Sequence, residues 1–331
     1  MSVGVWKRVG SPDKGFRYLT VKGAPLSSRA GLARVEALAI PPAWTGVEIS
    51  PRGSDKVQAT GYDAAGRKQY IYHSDYVAGR ERKKYARLLT LARALPRMRA
   101  LTNEHLRRKG VTRERVLATL ARLLSRGYFR VGSERYALAN ETFGLATLRK
   151  SHLEVRGHDL IFRYRGKGSV EQRKVVADTP LVKILEEIMK LPGRRLFRYR
   201  DGEGKVRDVT SREVNDYLRQ VLGGDFTAKD LRTWGGTVRA ATILADLGPA
   251  RSAHEADKNV VLACKLVASE LGNTPAVCRS AYIHPDVIAG YLKGETIAAV
   301  MRKEPRPLEA EAPTAYYAEE AALMRFLEAR Q

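Results

Sequence analysis

A chain of 331 residues is long enough for two domains of ordinary size, each with its own hydrophobic core. Its 59 Lys and Arg residues outnumber its 36 Asp and Glu residues, and the formal net charge of +23 exceeds what solubility requires. Two cysteines without a CxxC pair and six scattered histidines argue against a disulfide framework and a zinc site. The composition therefore predicts a polyanionic partner, and by itself it does not choose among DNA, RNA, a ribosome and anionic lipid.

No apolar run approaches the roughly 18 to 20 residues of a membrane span, and the first residues, MSVGVWKRVG, lack the apolar core of a signal peptide. We therefore expect a cytoplasmic protein. A GxxxxGK[ST] phosphate loop is also missing from the sequence, so nucleotide hydrolysis has no support.

Residues 1–80 predict a small β-rich domain, because short alternating runs such as GFRYLTVKG are separated by turn residues. Within it, VQAT and KQYIY flank the sequence DAAG, which is typical of a hairpin turn. Strand alternation then directs Gln69 and Ile71 to one face and Tyr70 and Tyr72 to the other.

From Gly79 onward the apolar spacing becomes helical. We expect one helix in RERKKYARLLTLARALPRMRALTNEHL, interrupted at Pro96, and a second in TRERVLATLARLLSRGYF, with Thr112 as its N-cap. The stretch 79–135 holds 17 Lys and Arg residues against 4 Asp and Glu residues, which predicts a basic surface or groove.

Residues 81–303 predict a larger, mainly α domain that contains a small three-stranded antiparallel sheet, so the fold class is α+β. The strands lie in SHLEVRGHDLIFRYRGKGSVEQRKVV, with Leu160, Phe162 and Tyr164 on one face. Helices follow in LVKILEEIMKL, SREVNDYLRQVL, KDLRTWGGTVRAATILADL and KNVVLACKLVASEL. Ser211 supplies half of a capping box for the second of these.

Residues 304–331 predict a Pro-rich linker followed by an acidic, Ala-rich tail helix that lies outside the chemistry. The chain shows no internal repeat with a period of roughly 20 to 50 residues.

The stretch LGNTPAVCRSAYIHP, residues 271–285, offers three possible nucleophiles: Cys278, Ser280 and Tyr282. We expect a short helix here that begins after Thr274 and ends at the last proline. A thiol or a serine needs a His base with a carboxylate partner, and the histidines form no such pattern. A tyrosine phenol titrates near ~10 and instead needs cations and a polarised phosphoryl group. Cys278 is then a packing residue.

The sequence supplies those cations. Arg130 lies in YFRVGSERY, Lys167 lies between two glycines in RYRGKGS, and Lys229 and Arg232 lie at a helix start in TAKDLRTWGG. Taken singly, each has an ordinary interpretation as an exposed arginine, a turn lysine or a solvated helix end. Together with LGNTPAVCRSAYI, in this order, they are far more specific.

In these motifs the chain resembles the type IB DNA topoisomerases, in particular the poxvirus-like and bacterial branch. The resemblance runs from IPPAW and GYDAAGRKQYIYH through RVGSERY, ETFGLATL, RGKG and KDLRTW to LGNTPAVCRSAYIHP, up to about residue 303. The family gathers an Arg, a Lys, a second Arg, a His or Asn, and a Tyr around one phosphate. These carry over as Arg130, Lys167, Arg232, Asn273 and Tyr282.

Two positions depart from the poxvirus-type pattern. Asn273 stands where those enzymes have His, and an amide can donate a hydrogen bond to a phosphate oxygen but cannot carry charge. Some bacterial relatives also have Asn here. Ser280 stands where the family often has a basic residue.

The resemblance implies that Tyr282 attacks a phosphate of duplex DNA, forms a 3′-phosphotyrosyl link and releases a 5′-hydroxyl strand, which rotates and then attacks back. Arg130 and Arg232 would neutralise the charge on the nonbridging oxygens, and Asn273 would donate a hydrogen bond to them. Lys167 would protonate the leaving 5′ oxygen. The scheme needs no ATP and has no place for a metal or another cofactor.

The resemblance also implies a monomer that closes around duplex DNA as a clamp, in a cytoplasmic, nucleoid-associated location. Gln69, Tyr70 and Tyr72 match a family strand that faces the major groove, where Gln can read adenine. The alternative is that both tyrosines are partly buried cross-strand residues. The predicted DNA contacts, taken together, are Arg67, Lys68, Gln69, Tyr70, Tyr72, Arg80, Tyr136 and Lys229.

Two other functions stay open at this point. A site-specific tyrosine recombinase would use the same tyrosine, but KDLR lacks the recombinase His and residues 1–80 resemble the topoisomerase clamp. A non-catalytic DNA-binding protein on the same scaffold is the third possibility.

Overall fold

The computed structural model describes residues 4–301 and 317–330. The chain divides into two compact units, Met1–Ala86 and Arg87–Gln331, and each is described by itself. The predicted Pro-rich linker, which begins at residue 304, lies outside the described residues up to residue 316.

The smaller unit is built on a five-stranded antiparallel sheet whose strand order is β2-β1-β3-β4-β5. Helix α1, Arg29–Ala37, covers it, and Leu26, Val35, Val47, Ile49 and Ala59 form the buried core. The strands are β1 (Trp6–Ser11), β2 (Gly15–Leu19), β3 (Thr45–Ile49), β4 (Val57–Tyr62) and β5 (Lys68–Tyr72). The predicted β-rich region is thereby confirmed.

The hairpin predicted around DAAG joins β4 to β5. Tyr62 pairs with Lys68 at its base, and Gly66 adopts the left-handed conformation that the turn requires, with φ of +69°. Ile71 packs against the core of the sheet. The alternation along β5 therefore follows the sequence prediction.

Helix α2, Ser74–Leu106, runs through Pro96 without a break, so the predicted interruption is wrong. A proline removes one backbone donor, but a helix continues when its flanking turns are packed. Leu91, Ala92, Leu95 and Met98 are all buried, and this packing holds the turns on both sides of the proline.

The larger unit is mainly helical and contains the predicted three-stranded antiparallel sheet, in the order β6-β7-β8. Leu160, Phe162 and Tyr164 are all buried, as their shared face predicts. The strands are β6 (Leu153–Arg156), β7 (Asp159–Arg165) and β8 (Glu171–Ala177), and a two-stranded sheet adds β9 (Arg198–Arg200) and β10 (Val206–Asp208). The mixed architecture confirms the α+β fold class.

Ten α-helices lie in the described part of this unit beyond α2. They are α3 (Arg113–Gly127), α4 (Glu134–Asn140), α5 (Thr179–Met189), α6 (Ser211–Leu222), α7 (Ala228–Leu247), α8 (Ala253–Leu271), α9 (Pro275–Ala281), α10 (Pro285–Leu292), α11 (Ala298–Met301) and α12 (Ala318–Glu328). Of these helices, α3 and α5 contact the three-stranded sheet.

The helix ends agree with the sequence at some positions and differ at others. Thr112 caps α3, as predicted, by accepting from the Arg115 backbone N–H. Helix α6 is capped by Thr210 with Glu213 in a complete capping box, so the assignment of Ser211 was off by one residue. The helix after Thr274 ends at Ala281, before the last proline of LGNTPAVCRSAYIHP. Pro285 is instead the first residue of α10.

The tail helix α12 is an integral part of the larger unit. Its Leu323, Phe326 and Leu327 are buried. Glu320 is buried as well, and it accepts from the Arg99 guanidinium of α2 at 2.9 and 2.8 Å and from the indole N–H of Trp234 on α7 at 3.2 Å. The predicted tail therefore packs against the helix that carries Arg232.

Among the described residues, no single helix is both long and apolar enough to cross a membrane. Only α8 and α9 taken as a pair, with a bend of 95° between them, reach the required length and composition.

Candidate active site

Arg130 is held by a close approach of two loops after α3. Its carbonyl accepts from the Leu145 N–H at 2.8 Å. Gly132 has φ of +91°, and a Cβ on it would lie 2.9 Å from Cα of Gly144. Only glycines permit this approach, so the two glycines fix the backbone from which Arg130 projects.

Arg232 lies in the second turn of α7 and only 3 % of it is exposed. Its Nη1 donates to the carbonyl of Tyr128, a residue held in the left-handed region with φ of 51°, and its Nη2 donates to the carbonyl of Leu271 at 3.0 Å. Its Nε is buried and has no partner within the described residues. Burial lowers the pKa of Arg232, Tyr282 raises it and Arg130 lowers it, but an arginine stays charged.

Asn273 begins the turn that leads into α9, and Arg130 orients its side chain. Nη2 of Arg130 donates to the Gly272 carbonyl at 2.8 Å and to Oδ1 of Asn273. A guanidinium can only donate, so the amide oxygen must face it and the amide nitrogen must point elsewhere. That nitrogen, Nδ2, is buried and forms no hydrogen bond of ordinary geometry within the described residues; its neighbour is the Cys278 thiol, whose pKa burial raises and Asn273 lowers.

Tyr282 occupies the C-cap of α9, beside the Arg232 side chain. The Arg232 Cζ lies 5.3 Å from the centre of the tyrosine ring. The Tyr282 carbonyl accepts from the hydroxyl of Thr237 at 3.2 Å. A Cβ on Gly236 would lie 2.9 Å from that carbonyl oxygen, so a glycine in α7 is what allows the tyrosine backbone to lie this close.

The two other nucleophile candidates have less suitable surroundings. Cys278 is fully buried, and burial raises the pKa of its thiol, which keeps it in the unreactive protonated form. The Ser280 hydroxyl is exposed and donates to the Ala276 carbonyl at 3.0 Å, one turn back in the same helix. Both observations support the choice of Tyr282.

Lys167 is exposed at the tip of the hairpin between β7 and β8, as the glycine spacing predicts. The tip contains two residues in the left-handed region, Gly168 with φ of 76° and Ser169 with φ of 61°. In the described part of the chain, no hydrogen bond or ion pair joins Lys167 to the other four predicted site residues. The contacts of the described residues therefore bring together Arg130, Arg232, Asn273 and Tyr282, and they do not include Lys167.

The four gathered residues form a site with the chemistry of an anion receptor. Among the described residues, three buried side-chain donors lack a partner, and two of them are Arg232 Nε and Asn273 Nδ2. An unmet buried donor costs roughly 1 to 3 kcal/mol. A phosphate oxygen that accepted from both donors would remove that cost and would meet two guanidinium charges.

The smaller unit carries a row of exposed and half-buried aromatic side chains with basic side chains beside them. Tyr70 and Tyr72 stack at 5.9 Å with an angle of 13°, and Tyr76 follows 5.3 Å from Tyr72. Lys68 lies 6.0 Å from the Tyr70 ring, and Arg80 lies 5.7 Å from the Tyr76 ring. Tyr70 is exposed and Tyr72 half-buried, so the alternative of two partly buried tyrosines holds for Tyr72 only.

The remaining predicted DNA contacts have mixed surroundings. Arg67 and Gln69 both donate to the Asp63 carboxylate, at 2.8 and 2.9 Å, and the hydrogen bonds from Arg67 bring the pKa of Asp63 to about 2. Tyr136 on α4 and Lys229 in the first turn of α7 are exposed.

Several residues around the site were not predicted from the sequence. Tyr128 supplies a carbonyl to Arg232, Thr237 supplies a hydroxyl to Tyr282, and the buried Lys174 on β8 lies among the cations. The one available signal was the Gly235-Gly236 pair inside α7. Glycines weaken a helix interior, so a pair of them there indicates that another group approaches the helix closely. A Cβ on Gly235 would lie 2.2 Å from the Tyr128 ring.

Within the described residues, no group of three or more His, Cys, Asp and Glu side chains is placed to hold a metal ion.

Comparison with known families gives two matches. Residues 73–303 match the model of the eukaryotic DNA topoisomerase I catalytic core, and residues 15–63 match the bacterial DNA topoisomerase IB N-terminal domain. The first match covers well over half of the chain and includes all five predicted site residues.

Individual relatives agree with the family models. The chain is 29 % identical over 283 residues to DNA topoisomerase 1B of Acanthamoeba polyphaga mimivirus, which covers 83 % of this chain and 84 % of the viral protein. It is 24 % identical over 237 residues to DNA topoisomerase 1B of vaccinia virus strain Copenhagen, covering 69 % and 70 %. A similar identity, 24 % over 194 residues, relates it to DNA topoisomerase 1 of Mycosarcoma maydis, of which it covers 19 %.

Proposed function

The chain belongs to the type IB DNA topoisomerases, and from this premise we propose that Tyr282 is the residue that cleaves the DNA strand. The enzyme relaxes supercoiled duplex DNA without ATP, by transient cleavage of one strand through a 3′-phosphotyrosyl intermediate, strand rotation and religation. Its substrate places it in a compartment that contains DNA. What remains to be assigned is the work of each side chain.

The phosphate site is assigned from two buried N–H donors that have no hydrogen-bond partner in the described part of the chain. Arg232 Nε and Asn273 Nδ2 are buried and have no hydrogen-bond acceptor within the described residues, and the Arg232 guanidinium lies beside the Tyr282 ring. Donors that are already oriented stabilise the charge that develops on the nonbridging oxygens as the phosphoryl centre becomes pentacovalent. Arg130 and Arg232 add two permanent charges, and one preorganised donor of this kind lowers the barrier by about 3 to 4 kcal/mol.

In the forward step, the Tyr282 oxygen forms a bond to phosphorus and the bond from phosphorus to the 5′ oxygen breaks. Lys167 protonates that leaving oxygen as the general acid, and the proton that the Tyr282 phenol loses passes to water, from which Lys167 regains one. Its exposed position on the hairpin tip supports this role, because the lysine can meet DNA that approaches from outside. Religation is the reverse transfer, in which the 5′-hydroxyl attacks and Tyr282 leaves.

The DNA contacts outside the phosphate site are part of the same proposal. A monomer clamps the duplex with a β-rich domain of residues 1–80 and a catalytic domain of residues 81–303, and it associates with the nucleoid. The exposed tyrosines and cations of the smaller unit, Lys68, Tyr70 and Arg80, supply stacking and phosphate contacts, and Gln69 reads base edges in the major groove. Arg67, Tyr72, Tyr136 and Lys229 complete the contact set.

Plasmid relaxation tests the nucleophile. Supercoiled plasmid is incubated with substoichiometric protein in EDTA and without ATP, and topoisomers are resolved on a gel. The parent produces a relaxed ladder, and Tyr282→Phe is slower by at least about a thousandfold because it lacks the attacking oxygen.

Ser280→Ala is the matched control, since it removes a hydroxyl from the same helix and leaves Tyr282 in place. Its relaxation rate stays within about threefold of the parent rate. Relaxation by Tyr282→Phe at the parent rate would overturn the assignment. A parent that recombines paired sites, or that binds DNA without relaxing it, would contradict the activity itself.

A further inference from the structure

The C-terminal end of α8 holds three cations in a row. Its last two carbonyls and the next one each accept a hydrogen bond from a different basic side chain, and the pairs are Glu270 with Lys174, Leu271 with Arg232, and Gly272 with Arg130. A helix C-terminus carries partial negative charge, so cations are favoured there. Two of the three cations belong to the phosphate site, and the third has no role in the reaction described above.

Lys174 lies on β8 opposite Phe162 of β7 and is 91 % buried by accessible area, with only 9 % exposed. A lysine is almost never buried unless it has a partner. Its partner here is the Glu270 carbonyl, and the Glu270 carboxylate is in turn bonded to Arg239 of α7 at 2.7 Å. The lysine therefore lies in the interior of the unit, on the carbonyl that precedes those bonded to Arg232 and Arg130.

We propose that Lys174 is a positioning residue for strand cleavage, which fixes the last turn of α8 and through it the carbonyls that hold Arg130 and Arg232. The same turn continues through Gly272 into Asn273, so the amide donor depends on it as well. Lys174 acts through these residues and does not touch the reacting atoms. The inference rests on the proposed function, because it concerns the same phosphate site.

Lys174 loses its charge within a pH range in which the cleavage rate can be measured. Burial, followed by Arg232 and Arg130, lowers the pKa of Lys174 to about 8, while Glu270 raises it. The charged groups that act on it from the packed elements are Arg232, Arg130 and Glu270, and the Glu270 carboxylate is itself bonded to Arg239. A lysine is charged below its pKa and neutral above it, so the charge-assisted hydrogen bond to the Glu270 carbonyl is present at neutral pH and weakens to that of a neutral amine as the pH rises through about 8.

The experiment measures single-turnover cleavage of a nicked suicide duplex between about pH 6.5 and about pH 9.5. Lys174→Met keeps the aliphatic stem and removes the charge. It cleaves about tenfold more slowly than the parent near neutral pH, and the difference shrinks to less than about twofold at the alkaline end, where the parent lysine is also neutral. DNA binding, measured with Tyr282→Phe in both backgrounds, changes by less than about twofold.

Lys174→Arg provides the second readout, because arginine stays charged throughout this range. The ratio of its cleavage rate to the parent rate rises about fivefold between neutral and alkaline pH. Equal rates for Lys174→Met and the parent at neutral pH would overturn the proposal. So would rate ratios that do not change with pH for either variant, since a purely structural lysine gives a constant difference. Failure of the parent itself to form a covalent complex would instead contradict the proposed function.

Discussion

Arg232 and Asn273 show how the site is prepared before any DNA is present. The two terminal nitrogens of Arg232 are occupied by the carbonyls of Tyr128 and Leu271, which fixes the plane of the guanidinium and hence the direction of Nε. A lysine has its three N–H donors on one rotating nitrogen, so it could not bond two separate carbonyls and hold a third donor in a fixed plane. The cost of orienting the donors is met by the fold and not during the reaction.

Asn273 is predicted to act through its amide nitrogen alone. Asn273→Asp keeps the acceptor for Arg130 but replaces the donor by a negatively charged oxygen, so cleavage slows by at least about 100-fold. Asn273→Ala loses the donor without adding charge and slows cleavage by about tenfold. Asn273→His retains a donor and stays within about tenfold of the parent. Single-turnover cleavage of a nicked duplex gives the three rates.

The order of these three rates is the decisive outcome. If Asn273→Asp cleaves as fast as the parent, the amide nitrogen does not contact the phosphate, and Asn273 is only a brace for Arg130. Thermal unfolding of each variant separates this result from a loss of folded protein.

The residues of the site could be predicted from the sequence, but the residues that hold them in place could not. Arg130, Arg232, Asn273 and Tyr282 stand in motifs that the family resemblance identifies. Lys174 stands in no motif, and nothing in YFRVGSERY singles out Tyr128, because their contacts join positions about 100 residues apart whose proximity depends on the whole fold. A buried lysine and a turn lysine look the same in a sequence.

At the scale of elements, α12 supports the helix that carries the site. Glu320 bonds to Trp234, which follows Arg232 by two positions on α7, and to Arg99 of α2. The ion pair is buried, with only 10 % and 8 % of the two side chains exposed. Composition identified α12 as an acidic helix but could not indicate that one of its carboxylates is buried.

Removal of the Glu320 carboxylate is predicted to destabilise the larger unit strongly. Glu320→Ala leaves the buried Arg99 guanidinium without its carboxylate, and breaking such a pair costs about 3 to 5 kcal/mol. Glu328→Ala is the matched control, because Glu328 of the same helix pairs with Arg93 at 2.6 Å but in a largely exposed position. Its loss costs about 0 to 1 kcal/mol. Urea denaturation measures both free energies of unfolding, and equal losses would contradict an integral role for α12.

Helices, strands and turns could be predicted wherever the residues that specify them lie close together in the sequence. The Thr112 cap and the DAAG hairpin were predicted because turn chemistry and caps are local. The predicted break at Pro96 failed because burial of the flanking turns outweighs the loss of one backbone hydrogen bond. Local rules therefore gave the kind of each element, and packing decided its extent.

At the scale of the whole molecule, the charge count overstates the surface available to DNA. At least eight of the 17 cations in residues 79–135 form ion pairs with carboxylates inside the larger unit: Arg87, Arg93, Arg99, Arg108, Arg113, Arg115, Arg122 and Arg126. Arg99 and Arg115 are buried. The basic segment is thus partly a structural network, and the predicted basic surface is narrower than its composition implies.

The measurement that tests the central claim most directly is the identity of the residue joined to DNA. A suicide duplex, labelled on the strand to be cut, is trapped with the parent enzyme, digested with trypsin and sequenced by mass spectrometry. We predict that the DNA is attached through its 3′-phosphate to Tyr282, with Tyr282→Phe giving no covalent complex. Attachment to Cys278, Ser280 or another residue, or attachment through a 5′-phosphate, would contradict the assignment.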